Sequence, residues 1–178
     1  DVSIPCDALM GSEGSAWSVL STVIDLATVA LAAEQMGGAQ QVMELTVEYT
    51  KERKQFNRPI AGFQAIKHKA ADMMTRVEVA RSGVYYAACV AQDAFATAAT
   101  GNRVGDFSEE LPEAASIAKS YCSDAYFKNA GDAIQMHGGV GFTWEYDIHL
   151  YFKRAKASEH FLGNGSYHRE RLASMLLD

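Results

Sequence analysis

The chain has 178 residues, 48% of them hydrophobic and 21% charged, which excludes a disordered polypeptide and is enough for one domain with a sizeable core. Its formal charge is −6, and basic residues cluster only briefly, at Lys51 to Lys54 and at Lys67 to Lys69. That balance disfavours nucleic acid as a partner and leaves room only for a local basic groove.

At the start, Val2 and Ile4 alternate with polar residues until Pro5 stops the pattern. This reads as a short β-strand remnant, the tail of an upstream β-domain, with residues 1–14 as tail and linker and 15–178 as the helical domain. From about Ser15 to Glu52 apolar residues recur with helical period: Val19, Val23, Leu26, Ala27, Ala30, Ala33, Val42, Leu45, Val47 and Tyr49. The most apolar window, Trp17 to Met36, contains Asp25 and Glu34, which predicts a buried helix and not a membrane span. Gly37-Gly38 near the middle predicts close approach of another helix. Asn57-Arg58-Pro59 ends this element.

A second helix is expected from Phe63 to Ala99, with Ile66, Ala70, Met73, Met74, Val77, Val84, Ala87 and Val90 as its stripe, broadened by Tyr85 and Tyr86. Residues 100–111 read as a loop. Leu111-Pro112-Glu113 opens a third helix, with proline at the first helical position and acids in the first turn, running to about Met136. A glycine-rich loop follows, then a fourth helix from Glu145 to Lys156, and a last one capped by Asn164-Gly165-Ser166 and ending at Leu177. No segment after Pro5 reads as a strand. The expectation is an all-α, antiparallel helical bundle.

Bundles of this kind often hold metals through Glu-x-x-His pairs, and none of the five histidines has a glutamate three residues before it. Glu145 and His149 form only an i,i+4 pair, so no metal site is expected. The three cysteines, Cys6, Cys89 and Cys122, form no CxxC pair and read as reduced thiols of a cytoplasmic protein. There is no signal-peptide pattern, no nucleophile elbow and no cysteine flanked by positive charge.

An anion site reads better. Gly138, Gly139 and Gly141 free the backbone to aim consecutive N–H groups at one anion beside a helix terminus. His137 at the head of that loop is the histidine placed to matter. Arg53 at the end of the first helix, with Gln55, Phe56 and Arg58 after it, supplies a guanidinium that matches a phosphate bidentately. Gln64 and Gln135 add amide-reading groups.

The stretch from Glu52 to Gln64, Glu-Arg-Lys-Gln-Phe-Asn-Arg-Pro-Ile-Ala-Gly-Phe-Gln, resembles the R-x-x-F-G-x-x-I…F-Q segment of acyl-CoA dehydrogenases. Gln135 to Tyr146 is similar to their Q-x-x-G-G-x-G-[FY]…E-[YFH] segment, at a fitting separation, and Val2 to Trp17 resembles the linker from their middle β-domain into the C-terminal helical domain. The resemblance implies an FAD-dependent oxidation of an acyl-CoA to the trans-2-enoyl-CoA, with electron-transfer flavoprotein as acceptor and a tetramer in which FAD is held partly across a subunit interface. Carried over position by position, it assigns Arg53, Phe56, Gln64, Gln135, Gly138 and Gly139 to the ADP part of FAD.

One departure from the family pattern concerns the base. Most members carry a catalytic glutamate in a Y-E-G-T stretch before the last helix, where this chain has Phe161-Leu162-Gly163-Asn164. Leucine cannot accept a proton. The alternative slot on the first helix holds Ala27, and Glu34 and Glu159 are the nearest relocated candidates. Three expectations follow: a flavin-sharing subunit that lacks its own base and pairs with a catalytic homologue, as in heteromeric α2β2 actinobacterial members acting on steroid side-chain CoA thioesters; a self-sufficient homotetramer using Glu34 or Glu159; or a helical scaffold without flavin. No residue of this chain is assigned a catalytic role.

Overall fold

The computed structural model describes residues 1–9, 11–99 and 110–177. Five helices carry the fold: α1 (Ala16–Glu52), α2 (Gln64–Ala99), α3 (Glu110–His137), α4 (Ile148–His160) and α5 (Gly165–Leu177). Helix α3 packs against all four others, so the bundle is built around it. Its inward face is rich in small residues, with Ala114, Ala115, Ala118, Ala125, Ala130 and Ala133 all buried. Small side chains let backbones approach closely while the larger apolar groups of the neighbouring helices fill the space between them. The core falls into two clusters. One joins Val29 and Ala32 of α1, Val84 and Ala87 of α2 and Leu111 of α3. The other joins Val42, Met73, Val77, Tyr126, Met136, Ile148 and Ala155.

Helix α1 is continuous through Gly37-Gly38. At Gly38 an added Cβ would lie 2.5 Å from Cζ of Tyr126 on α3, so the expected close approach is present and falls on this glycine; Gly37 faces open space. The expected stripe of α1 is displaced. Val23 is 54% exposed and Trp17 69%, whereas Asp25, Thr28, Gln35, Thr46 and Thr50 are buried. Each of these five side chains has a hydrogen-bond partner that offsets the cost of burial. Thr28 and Thr46 donate to carbonyls one turn back on α1. The Asp25 carboxylate accepts two hydrogen bonds from Arg171 of α5, at 2.5 and 2.9 Å. By length and composition α1 is apolar enough to cross a bilayer, yet only 28% of its apolar window is buried. The window was expected to form a buried helix; Val29, Leu31 and Ala32 are buried beside Asp25, Thr28 and Gln35, while Trp17, Val19, Leu20 and Val23 face outward.

Other differences are local. No strand forms around Val2 and Ile4, which are exposed and have no neighbouring strand to pair with. A two-residue hairpin that periodicity cannot reveal does form, β1 (Lys54–Gln55) with β2 (Arg58–Pro59), antiparallel in the register Lys54↔Pro59 and Gln55↔Arg58. Its turn places Phe56 and Asn57 at φ 52° and 62°. Helix α3 starts at Glu110, which puts Pro112 at the third position; the rest of the expected 100–111 loop lies outside the described residues. Helix α4 begins at Ile148 and not at Glu145, because Tyr146 is drawn edge-on against Tyr49 and His137 and leaves the helical path. Asn164 caps α5 as expected, its Oδ1 accepting from the Tyr167 N–H at 2.9 Å.

The two adjacent glycines of α1 differ in what surrounds them, and a paired substitution separates close approach from flexibility. Gly38→Ala must displace the Tyr126 ring and is expected to lower stability by about 1–3 kcal/mol, while Gly37→Ala raises it by about 0.5–1 kcal/mol by removing helix-interior glycine. Denaturant melts of the two variants check this; equal effects would place the close approach elsewhere.

Candidate functional site

The end of α1 and the end of α3 come together at one side of the bundle. Arg53 caps α1 in extended conformation, its N–H donating to the Tyr49 carbonyl at 2.9 Å and its carbonyl accepting from Ile60 at 2.8 Å. The hairpin therefore folds back directly behind Arg53. Helix α3 ends at His137 and continues as a 3-10 turn over Gly138–Phe142, so His137 is the last helical residue and not part of the loop itself. Gly138 sits at φ 66°, in the left-handed region. Gly141 is needed for packing, since a Cβ there would lie 2.9 Å from the Ile134 carbonyl.

Between these ends lies a concavity of about 410 Å³ lined by Tyr49, Arg53, Gln55, Ile60 and the run from Gln135 to Val140. Of the six positions assigned from the sequence, Arg53, Gln135, Gly138 and Gly139 share this wall. Phe56 and Gln64 are not part of it. Phe56 is 87% exposed and stacks edge-on against Phe63 at 6.1 Å, which supports the hairpin turn. Gln64 is exposed at the first turn of α2. Arg53 makes no ion pair among the described residues, and a Cβ added at Gly138 or Gly139 would meet nothing within 4 Å. An unpaired guanidinium facing open glycine backbone suits a phosphate or diphosphate.

Tyr49 and His137 were not assigned to the site from sequence as a pair, yet they build it. Their rings stack at 4.1 Å, the Tyr49 hydroxyl donates to the His137 carbonyl at 3.3 Å, and Tyr146 packs edge-on against both. Tyr49 lies one turn before Arg53, so the stack sets the distance between the guanidinium and the glycines; the i−4 spacing was the available signal. The same pair walls off a second concavity of about 300 Å³ lined by Glu52, Glu145 and Asp147. Carboxylates there repel an anion, so the sign of the charge selects the Arg53 side. His137 Nδ1 donates to the Ala133 carbonyl at 2.8 Å, and burial pushes the imidazole pKa below its ordinary value.

The candidate base positions present a different picture. Leu162 is half-buried at φ 58°, and Ala27 is exposed on α1. Glu34 is held by both arms of Arg154 at 2.5 and 2.7 Å, and this hydrogen bonding keeps its pKa below the usual carboxylate value. Glu159 pairs with Lys156 at 2.8 Å. A carboxylate already neutralised by a cation is a poor proton acceptor, and for Glu34 the lowered pKa weakens it further. No cluster of three or more His, Cys, Asp or Glu side chains converges among the described residues.

Residues 14–177 match the acyl-CoA dehydrogenase C-terminal domain family. The chain is 41% identical to acyl-CoA dehydrogenase IpdE2 of Mycobacterium tuberculosis over 79% of its own length and 38% of that protein. Among solved structures it is similar to butyryl-CoA dehydrogenase of Megasphaera elsdenii (29% identity, TM-score 0.82, 98% of this chain and 42% of that one). It is also similar to a steroid ACAD (33% identity, TM-score 0.74, 85% of this chain and 38% of that one). The chain thus spans about two fifths of the length of these relatives.

Burial holds the His137 pKa below the ordinary imidazole value of about 6.5, so its stability contribution is complete above that pH and is lost as pH falls through its lowered folded value. His168, also pushed down by burial, acts with the same sign. Thermal melts between about pH 7.5 and 5 should therefore fall on the acid side, and His137→Gln should make that slope shallower. An unchanged slope would mean that the buried stack does not titrate.

Proposed function

The chain belongs to the acyl-CoA dehydrogenase family, and on that footing we propose that it is the C-terminal domain of an FAD-sharing subunit without its own base, assembled with a homologous subunit that supplies one. The observation that carries this is the pairing of a retained site with a missing acceptor. Arg53, Gln135, Gly138 and Gly139 face one concavity, while the base position is Leu162 and the nearby carboxylates Glu34 and Glu159 are tied up in ion pairs.

Bound there, FAD would supply the electron sink that accepts the hydride equivalent from the acyl β-carbon. This chain's own part is to hold and orient. Arg53 offers two parallel N–H groups to a diphosphate. Gly138 and Gly139 put no side chain over that wall, and Gln135 offers a donor and an acceptor. Tyr49 and His137 keep these groups at fixed separation. The α-proton is removed by a carboxylate of the homologous subunit, because among the described residues the two candidate carboxylates, Glu34 and Glu159, are held in ion pairs. An acyl-CoA thioester is the substrate class, electron-transfer flavoprotein the acceptor, and the cytoplasm the compartment. The likeness to IpdE2 and to a steroid ACAD supports steroid-derived acyl-CoA among the substrates and a heterotetramer as the assembly.

A self-sufficient homotetramer using Glu34 or Glu159 is disfavoured by their ion pairs, and a scaffold without flavin by the open, unpaired Arg53 site. The test is expression of the full-length protein alone and together with its homologous subunit, reading flavin absorbance and acyl-CoA oxidation. Alone it should be flavin-poor or inactive, and the pair should carry flavin and turn over; robust turnover by the homomer sinks the proposal. In the active pair, Arg53→Ala removes charge-assisted hydrogen bonds of about 1.5–3 kcal/mol, so flavin affinity should fall by about tenfold or more, with Arg53→Lys in between. Unchanged flavin content in Arg53→Ala would place the phosphates elsewhere.

A further inference from the structure

Helix α4 ends at His160 and α5 starts at Gly165, so four residues, 161–164, make the connection. Two of them are left-handed, Leu162 at φ 58° and Gly163 at φ 95°. A leucine in that region stays there only when its surroundings over-determine it. The surroundings are unusual. Lys119 of α3 is fully buried, and its Nζ donates to the carbonyls of Gly163 at 2.9 Å, Glu159 at 3.1 Å and Ser158 at 3.3 Å, and to Ser123 Oγ at 2.9 Å. Among the described residues it makes no ion pair within 4 Å. Two of its acceptors are last-turn carbonyls of α4, which lack intrahelical donors and carry the negative end of the helix dipole. From the other side, His168 Nε2 donates to the Leu162 carbonyl at 2.9 Å, and Nδ1 accepts from Ser116 at 3.3 Å.

We infer that Lys119 is the positioning residue of this turn: its buried ammonium terminates α4 and fixes the left-handed pair Leu162–Gly163, and so decides where the turn carries the side chain of residue 162. A lysine kept only for packing would be better replaced by an apolar side chain of equal length, because a buried charge is costly unless it is fully hydrogen-bonded. Here three donors meet four oxygens on two helices and a turn. Burial pushes the ammonium pKa down to about 8, against the opposing pull of Glu159, Cys122 and Asp124. The inference concerns the backbone of the turn and holds whether or not the protein carries flavin.

Hydrogen exchange of the full-length protein tests it. In the wild type, peptides covering 158–165 should be protected like the adjoining helices; unprotected exchange there would overturn the inference. Lys119→Met keeps the alkyl chain and removes the ammonium, and should speed exchange of those peptides by about tenfold while the core of α1 changes less than about twofold. A uniform increase throughout the chain would reduce Lys119 to a packing residue. Lys119→Ala opens space for a small cation, so propylammonium should restore protection of the turn and propanol should not. Equal restoration by the alcohol would also overturn the inference.

Discussion

A single buried ammonium ties the lower half of this bundle together. Lys119 stands on the central helix and spends its donors on carbonyls of α4 and the following turn, and on Ser123. Ser123 in turn donates to Gln35 of α1, whose amide donates to Ser158 of α4. A continuous polar spine therefore runs through α1, α3 and α4 where an apolar core would be the simpler choice. Each buried acceptor left without a donor would cost about 1–3 kcal/mol, so the spine is stabilising only when complete. A parallel network, Asp25 with Arg171 and then Ser116 with His168, reaches the Leu162 carbonyl from α5. Both end on the same four-residue turn, which explains how a leucine remains in a left-handed conformation there.

The opposite end of α3 forms the proposed flavin site. The chain brings one guanidinium and two open glycines to a common concavity, and an aromatic stack holds them apart. Electrostatics divides the neighbourhood into a side that accepts anions and a side lined by carboxylates that rejects them. Holding a cofactor requires only this. Using it on an acyl-CoA requires a carboxylate of suitable pKa within reach of the α-carbon, and at the end of the chain where such a group would stand the turn is rigidly built but carries Leu162.

Helix number, order and most boundaries were legible because apolar periodicity over more than thirty residues is a strong signal, as in α1 and α2. The face of α1 was not. Its buried side mixes Asp25, Thr28, Gln35, Thr46 and Thr50 with Val29, Leu31, Ala32, Ala39, Val42 and Met43, and a hydrophobic pattern misses such a face because the polar groups on it are satisfied internally while Trp17, Val19 and Val23 face outward. The hairpin was invisible for a simpler reason, since two-residue strands have no periodicity and its turn uses Phe56 and Asn57 without a glycine. At the site, Arg53, Gln135 and the glycines could be named from motif spacing. Tyr49 was reachable only through its i−4 spacing from Arg53, because its role arises from a contact with a residue 88 positions away. Lys119 gives no signal at all in sequence; in a run of alanines and serines it reads as a solvated helix charge.

Under the proposed function, flavin reduction in the assembly depends on a base this chain does not provide. The direct measurement is stopped-flow bleaching of the bound flavin by an acyl-CoA, in the reconstituted pair whose other subunit has its catalytic-position glutamate replaced by glutamine. Flavin should stay bound and oxidised, with reduction slowed by the two to four orders of magnitude that loss of a positioned base brings, about 10²–10⁴-fold. Bleaching at an undiminished rate would show that this chain carries a working base of its own, and would contradict the proposed function.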